Sequence, residues 1–475
     1  MNLSKSLEEN YNHIKTDFVD CSDFLIRKAK TGNREFLIMV CDGLIDSLQL
    51  SQMVVSPILR CDEIDIDTIK KSITNSVELN EAETFADCYY YVMSGFAVVL
   101  VDGEDKALAF GVQSPPARSV DVPSNEQSTK APKEAFVEVL NTNKALLRKR
   151  LKTPHLKLKQ IKLASSAPMP CVIAYMDDRA DKELVSQITQ ALQSSNLNTL
   201  TDFGTLVPFI DTNMNSMFSD VSSTERPDII ISKLIEGRVA VLVEGSPIAL
   251  YTPSLFSDNF QSPDDYDTPP FYSGFIRLLR YFSFVLSIFL PGVYVAIGTF
   301  HQELIPTSML YTIAREEITT PYSLMTEALM LLLLYEIMRE AGLRLPKAVG
   351  HAVSIIGGIV IGETTVSAGL IGAPMLVVIA LTAISSYVVS SLYESVSVLG
   401  LTGMYGIILA AAVLCMNICA INPYGVPYCA PISPFDKKSL ADLFYRQSWL
   451  KLSKRKVRIN NLRGAEIDVK IGNKR

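Results

Sequence analysis

The segment SGFAVVLVDGEDKALAF (Ser94–Phe110) recurs later in the chain, in altered form, as EGRVAVLVEGSPIALYT (Glu236–Thr252). Each copy has a glycine, an uninterrupted apolar run, an acidic residue followed by glycine, and then a second apolar run. Asp-Gly between two apolar runs favours a β-hairpin, and Glu-Gly favours it more weakly. The repetition therefore predicts two copies of one structural unit.

A second pair of matching segments lies upstream of these hairpins. FLIMVCDGLIDSLQLS (Phe36–Ser51) and VIAYMDDRADKELVSQI (Val172–Ile188) each combine a short apolar strand, an aspartate and an amphipathic helix. We therefore predict a duplicated α/β domain with one subdomain at residues 1–115, a linker and connecting helix at 116–164, and a second subdomain at 165–260. The alternative is convergence on common strand–helix and hairpin patterns.

Acidic residues stand at the predicted strand ends of both copies, namely Asp42, Asp102, Asp177, Asp178 and Glu244. Strand ends of α/β folds often bind ligands, but acidic residues there more often form turns and cap helices. No phosphate-binding loop, dinucleotide fingerprint or nucleophile elbow accompanies them. The eight cysteines and four histidines are scattered without metal-ligand spacing. We therefore expect no catalytic site, no metal and no cofactor, and a protein that is not an enzyme.

Charge and hydropathy divide the 475-residue chain into three parts. Residues 1–276 carry a net charge of −12, residues 277–434 carry −2, and residues 435–475 carry +8, although the whole chain carries only −6. An acidic soluble half argues against nucleic acid as a partner. A basic tail directly after membrane spans favours contact with anionic membrane lipids.

The apolar runs predict an α-helical transmembrane domain at residues 275–425 and a basic tail at 426–475. The predicted spans are Tyr281–Phe300, Tyr322–Met338, Pro374–Tyr393 and Val396–Ile421, with Ala348–Gly369 as a re-entrant or buried helix. Four spans place Arg277 with Arg280, the basic residues that follow Met338, and the tail on the cytoplasmic side, whereas five would place the tail outside. We expect the N-terminal domain on the cytoplasmic side too.

Several charged residues lie inside or at the boundary of the second predicted span. They are Glu327, Glu336, Arg339, Glu340 and Arg344. Charges within a membrane are costly to bury and usually face a bundle interior or a water-filled path. The last four are spaced three or four residues apart, so they can form pairs along one helix.

Several segments between about residues 125 and 435 resemble, in order, the A subunit of the spore germinant receptors, the GerA family. The matching segments are KAPKEAFVEVLNTNKALLRKRL (Lys130–Leu151), TERPDIIISKLIEGRVAVLVEGSPIAL (Thr224–Leu250), QSPDDYD (Gln261–Asp267), REAGLRLPKAVGHAVSIIGGIVIGE (Arg339–Glu363) and SPF (Ser433–Phe435). The segment DTPPFYSG after QSPDDY departs from the family pattern. A stage-V sporulation paralogue of the A subunit shares this architecture and stays an alternative.

The resemblance implies a multi-pass protein of the inner spore membrane that works with a transporter-like B subunit and a lipoprotein C subunit. It also implies a homo-oligomer, expected to be a pentamer, that conducts ions and triggers germination. Four spans are few for a self-contained transporter, so a pore would form between subunits as rings of one residue from each chain. A small-solute transporter and a membrane-anchored signalling scaffold are the competing hypotheses.

Within this hypothesis, the segment Val349–Val366 is the candidate pore-lining helix. Its small residues Ser354, Gly358 and Gly362 would permit close approach between helices. Val360 and Ile361 would form an apolar constriction, and Glu363 would form a charged ring. The alternative is that this helix only packs within the bundle.

Overall fold

Each predicted subdomain is built around a five-stranded antiparallel sheet in the computed structural model of the chain. We call the two subdomains the first and second units. The structure describes residues 2–32, 34–61, 65–72, 78–114, 123, 126, 130–164, 166–195, 197–213, 216–345, 358, 362–388, 403–430, 432 and 443–444.

The first unit has the strand order β1-β2-β4-β5-β3. The strand β4 is buried along its whole length, because helices and loops cover both faces of the sheet. In chain order the elements are α1 (Leu7–Asp17), β1 (Phe24–Thr31), β2 (Arg34–Cys41), a helical stretch in three parts (Ser47–Gln49, Leu50–Val55 with π-type turns, and Ser56–Leu59), α2 (Ile66–Ser72), β3 (Leu79–Ala82), α3 (Phe85–Val92), β4 (Phe96–Val101) and β5 (Ala107–Gly111).

The second unit repeats this topology, with the order β6-β7-β9-β10-β8. Its sheet is likewise covered on both faces. Its elements are α4 (Leu140–Arg150), β6 (Leu156–Leu163), β7 (Met169–Met176), α5 (Lys182–Gln193), single turns at Phe203–Thr205 and Val207–Ile210, β8 (Ser222–Thr224), α6 (Pro227–Ile235), β9 (Val239–Val243) and β10 (Ala249–Thr252). The predicted fold class, a duplicated α/β domain, is confirmed.

Both predicted hairpins form, and their acidic residues cap helices. Asp102 Oδ1 accepts the backbone N–H of Leu7 at 3.2 Å, at the start of α1. Glu244 Oε2 accepts the backbone N–H of Leu140 at 3.1 Å, at the start of α4. A carboxylate at a helix N-terminus satisfies an unpaired donor and complements the helix dipole.

A buried asparagine adds a second repeated contact. In the first unit Asn10 accepts from the backbone N–H of Ser4 at 2.9 Å and donates to its carbonyl at 2.6 Å. In the second unit Asn143 makes the same two bonds with Val137, at 2.8 and 2.6 Å. Because α4 and β6 belong to this repeated frame, the second unit extends upstream of residue 165 into the segment predicted to be a linker and connecting helix.

Helix α4 also joins the two units. A Cβ atom at Gly43 would lie 3.0 Å from the Asn141 carbonyl oxygen and 3.2 Å from the Ala145 side chain, and Gly43 has φ +81°, so glycine is required there twice over. On the same helix Arg148 binds Asp23 of the first unit through Nε at 2.7 Å, and both side chains are buried. The two units are therefore packed against each other through this helix and through β6, where the backbone N–H of Leu158 donates to Asp20 of the first unit at 3.0 Å.

The C-terminal part is helical. Its elements are the short turns Phe256–Phe260 and Asp264–Asp267, α7 (Pro270–Phe300), Gln302–Leu304, α8 (Thr307–Thr319), α9 (Leu324–Arg344), a short helical segment at 362–367, α10 (Ala373–Val388), α11 (Gly403–Ala420) and Pro423–Gly425. Among the described residues, α7 and α11 are long and apolar enough to cross a membrane. The bent pair α8–α9, with 76° between its helices, would be a third span, and α10 is a shorter apolar helix.

The structure differs from the predicted spans at two places. Helix α7 begins eleven residues before Tyr281, and α8 was not predicted. Arg277 and Arg280 marked the predicted cytoplasmic flank of a span, but both lie inside α7. The number of spans and their orientation in the membrane stay predictions.

Candidate functional site

The second unit connects to α7 through residues 253–269, and this connection contains two buried carboxylates. Asp258 lies in the turn that follows β10, and Asp265 lies in the short helix before α7. Each is surrounded by basic side chains, Asp258 by those of the second unit and Asp265 by those of α7. We call this connection, with the side chains that contact it, the junction.

Asp258 binds two cations of the second unit. Lys233 Nζ on α6 donates to Oδ1 at 2.9 Å, and the Arg238 guanidinium, just before β9, contacts both carboxylate oxygens. The backbone N–H of Leu255 donates to Oδ2 at 2.9 Å. Burial alone would raise the pKa of Asp258, but Arg238 and Lys233 outweigh it and hold that pKa well below its ordinary value.

Asp265 binds two cations of the membrane helix. Arg277, which is fully buried, donates from Nε and from a terminal nitrogen at 3.3 Å, and Arg280 donates at 2.8 Å. The same Arg280 nitrogen also donates to the carbonyl of Phe260 at 3.0 Å. The first turns of α7 are therefore fixed to the junction by charged hydrogen bonds, which are about twice as strong as neutral ones.

Aromatic side chains fill the space between the junction and two membrane helices. Phe260 stacks on Tyr281 of α7 with ring centroids 4.0 Å apart, and Phe256 lies 5.7 Å from Phe284 of the same helix. The loop after α11 also takes part, because the backbone N–H of Phe256 donates to the Tyr428 carbonyl at 2.9 Å. Nearby, Tyr424 donates its hydroxyl to Ile210 of the second unit at 2.6 Å.

This arrangement can transmit force but offers no reactive constellation. Charged and aromatic contacts link the junction to the second unit and to the start of α7, and aromatic contacts and hydrogen bonds link it and the second unit to the loop after α11. Within the part of the chain that the structure describes, no group of three or more His, Cys, Asp or Glu side chains could hold a metal ion.

The structure places the predicted membrane charges in two different environments. Glu327 is buried, with 1% of its surface exposed, and accepts the backbone N–H of Gly372 at 3.2 Å. The other four form the predicted pairs along α9. These pairs are Glu336 with Arg339 and Glu340 with Arg344, all four side chains being at least partly exposed.

Only part of the candidate pore-lining helix can be located. Gly358 is exposed and a Cβ added to it would meet nothing within 4 Å, and Glu363 is exposed at the start of the segment 362–367. Ser354, Val360 and Ile361 lie outside the described residues. The pore-lining role of all five residues stays a prediction.

The sequence reasoning missed the junction, although some of its residues fall in two of the segments that carry the family resemblance. Lys233 and Arg238 lie in TERPDIIISKLIEGR, and Asp265 lies in QSPDDYD. An arginine facing inward on an apolar helix needs a buried acid, and Asp265 stands twelve residues before Arg277. This spacing of an acid and an arginine was the sequence signal from which the buried pair could have been predicted.

Comparison with known proteins agrees with this architecture. The family model of the Bacillus/Clostridium GerA spore germination protein matches residues 12–458. Spore germination protein B1 of Bacillus subtilis (strain 168) is 33% identical, over 96% of this chain and 98% of its own length. Spore germination protein KA of the same organism is 32% identical, over 94% of this chain and 85% of its own length.

A solved structure is also similar to the soluble half. It is the N-terminal domain of the A subunit of the Bacillus megaterium spore germinant receptor GerK3, with 25% identity and a TM-score of 0.43, covering 54% of this chain and 98% of that domain. The family match covers more than nine tenths of the chain, and relatives above 30% identity are aligned over nearly their full length. The chain therefore belongs to the Bacillus/Clostridium GerA spore germination protein family.

Proposed function

We propose that this chain is the A subunit of a nutrient-sensing germinant receptor and that, as an oligomer in the inner spore membrane, it conducts ions to trigger germination. The observation that carries the proposal is the junction. A soluble domain linked by buried ion pairs to the start of α7, and by aromatic contacts and hydrogen bonds to the loop after α11, is suited to opening or closing a path between subunits. Within the described residues no catalytic constellation competes with that role.

The partners follow from the family. Relatives carry names of spore germination proteins, and the similar solved domain is named as part of an A subunit. We propose that its partners are a transporter-like B subunit, a lipoprotein C subunit and further copies of this chain, so that five copies form a pentamer. Membrane lipids would surround α7 and contact the basic tail. The soluble domain and the tail would face the cytoplasm, and labelling of the tail from outside would contradict that orientation.

The proposed pore is lined by the segment 349–366. Two to three long apolar helices in the described part of one chain are few to enclose a path, which supports a pore shared between subunits. The open space beside Gly358 leaves room for a neighbouring helix. In this proposal Val360 and Ile361 exclude water in the resting state, and Glu363 attracts cations at the pore mouth.

The test is ion release from spores that carry Val360→Ala or Ile361→Ala, normalised to receptor amount. Trimming a constriction should wet it, so we expect ion leakage and germination without nutrient at normal protein levels. Glu363→Gln should change cation conductance without changing assembly. Val377→Ala, at an exposed position on α10, is the matched control. Loss of abundance without leakage, as expected when buried methyl groups are deleted, would contradict the pore-lining role.

One observation favours a second function, that of a scaffold that binds a small cytosolic ligand. A cleft of about 520 Å³ lies on the second unit beside α5, lined among others by Lys159, Tyr175 and Lys182, with Asp20 of the first unit at its edge. Its carboxylates and ammonium groups suit a small zwitterion. Thermal stabilisation of the 1–260 fragment by amino acids would support this function. If amino acids do not stabilise the fragment, the scaffold function is contradicted and the channel proposal has no competitor.

A further inference from the structure

Glu327 is the most deeply buried acidic side chain of the membrane helices among the described residues. It lies in the first turn of α9, and its Oε2 atom accepts the backbone N–H of Gly372 at 3.2 Å in a buried hydrogen bond. Gly372 immediately precedes α10. The bond therefore joins two helices that are 45 residues apart in the sequence.

The chain around Gly372 is a tight turn, formed by residues 368–372, between the helical segment 362–367 and α10. The backbone N–H of Leu370 donates to Thr365 at 3.0 Å, and Gly369 adopts φ +64°. A Cβ atom at Gly369 would lie 3.4 Å from the carbonyl oxygen of Thr319, at the end of α8. The turn is therefore packed against α8 and bound by Glu327 of α9.

The chemistry of this contact explains why a carboxylate is tolerated there. The first N–H groups of a helix have no partner within the helix, and its N-terminus carries a partial positive charge. A carboxylate at that position accepts a hydrogen bond from an unpaired N–H group and is attracted by the partial positive charge. Burying an acid there without such a partner would cost free energy. Glu340, on the same helix, instead pairs with Arg344 and is exposed.

We propose that Glu327 is a positioning residue, which holds the 368–372 turn and thereby fixes the helical segment that carries Glu363. This role rests on the proposed function only for its effect on conduction; the contact itself does not depend on it. Loosening the turn would release the C-terminal end of the candidate pore-lining helix.

The test is amide hydrogen exchange of the full-length chain in detergent, followed by mass spectrometry of peptides that cover residues 364–376. Loss of a charged hydrogen bond predicts exchange at this turn roughly 10- to 100-fold faster in Glu327→Ala than in the wild type. Glu327→Gln retains an oxygen acceptor without the charge, so its exchange should lie between the two. Glu340→Gln is the control and should exchange as the wild type does.

Unchanged exchange in a folded Glu327→Ala, with both soluble units protected as in the wild type, would overturn the proposal. If Glu327→Ala does not fold, the Glu327→Gln variant is the test instead. Exchange of the turn in Glu327→Gln as slow as in Glu340→Gln would then overturn the proposal. Ion leakage in the same variants tests the separate claim about the pore. Faster exchange without leakage would keep the positioning role and reject the pore-lining assignment.

Discussion

The two units share one topology but differ at the position where the second meets the membrane helices. In the alignment of the two hairpins, Phe96 stands where the second unit has Arg238, and Tyr91 stands where it has Lys233. The two aromatic rings pack edge-on with centroids 5.3 Å apart. The two cations instead bind Asp258.

This difference distinguishes the contacts that both units share from the contacts that connect the second unit to α7. The buried asparagines and the acidic helix caps are present in both units, so they stabilise the repeated frame itself. The ionic cluster is present only where the chain continues into α7. A buried ion pair is weak evidence for stability, so its use at the junction indicates a requirement for fixed geometry.

The largest effect is expected when Asp258, one of the two acids of the junction, is removed. Asp258→Ala leaves Lys233 and Arg238 buried with only the partly exposed Glu236 as a carboxylate partner, and breaking a buried pair from one side costs about 3–5 kcal/mol. Asp105→Ala, at an exposed acid of the first hairpin, is the control and should change stability little. Chemical unfolding of the full-length chain in detergent measures both. Equal destabilisation would mean that the buried contacts of Asp258 contribute no more to stability than the exposed contact of Asp105 does.

The second prediction tests the shared frame. Asn10→Ala removes two partly buried hydrogen bonds and Asn143→Ala removes two buried ones. Each leaves backbone groups without partners, so each should cost about 2–3 kcal/mol. Because the two contacts have the same geometry, we expect the two losses to be similar in size. A large effect in one unit and none in the other would argue against an equivalent role.

Much of this frame was predictable from the sequence. The hairpins were visible because glycine follows an acid between apolar runs, and the duplication because both hairpins recur with their upstream strand. Helix α4 falls in the segment predicted to be a linker and connecting helix, although its polar residues Asn143, Lys144 and Arg148 are all buried. No local pattern shows that a polar helix is enclosed by two units.

The junction was hidden for a different reason. Lys233 and Arg238 precede Asp258 by 25 and 20 residues, so their pairing depends on tertiary structure. Arg277 and Arg280 lower the hydropathy of the first turns of α7, which moved the predicted start of the span to Tyr281. Both face inward toward Asp265, and the exposed side of those turns is apolar, with Phe271 and Phe275 at its surface.

A third prediction uses pH to contrast two buried acids, Asp258 of the junction and Asp220 of the second unit. The depressed pKa of Asp258 means that its stabilising contribution is present above its ordinary pKa and is lost as pH falls below it. Burial raises the pKa of Asp220 to about 6. Its contribution is therefore present below its ordinary pKa and is lost as pH rises through about 6.

Asp220→Asn should consequently become more favourable, relative to the wild type, between pH 4 and pH 7.5. The gain should be about 2 kcal/mol, since each pKa unit corresponds to about 1.4 kcal/mol. Unfolding free energies of both proteins at several pH values measure it. A pH-independent difference between them would show that Asp220 is not a charged, poorly solvated acid at neutral pH.

The smallest effect is expected at the charge pairs on α9, which are exposed, whereas the ion pairs of the junction are buried. Glu336 and Arg339 form an ion pair with side chains 54% and 30% exposed, and such pairs contribute about 0–1 kcal/mol. Asp258, by contrast, is almost fully enclosed. If α9 ends near the membrane boundary, Arg339→Ala leaves a poorly hydrated Glu336, so assembled receptor levels should fall slightly more than for Lys451→Ala in the basic tail. Quantitative immunoblots of spore membranes measure both levels. Equal levels would mean that Glu336 is fully hydrated without its partner, and a loss as large as that of Asp258→Ala would mean that this end of α9 is buried in the assembled receptor.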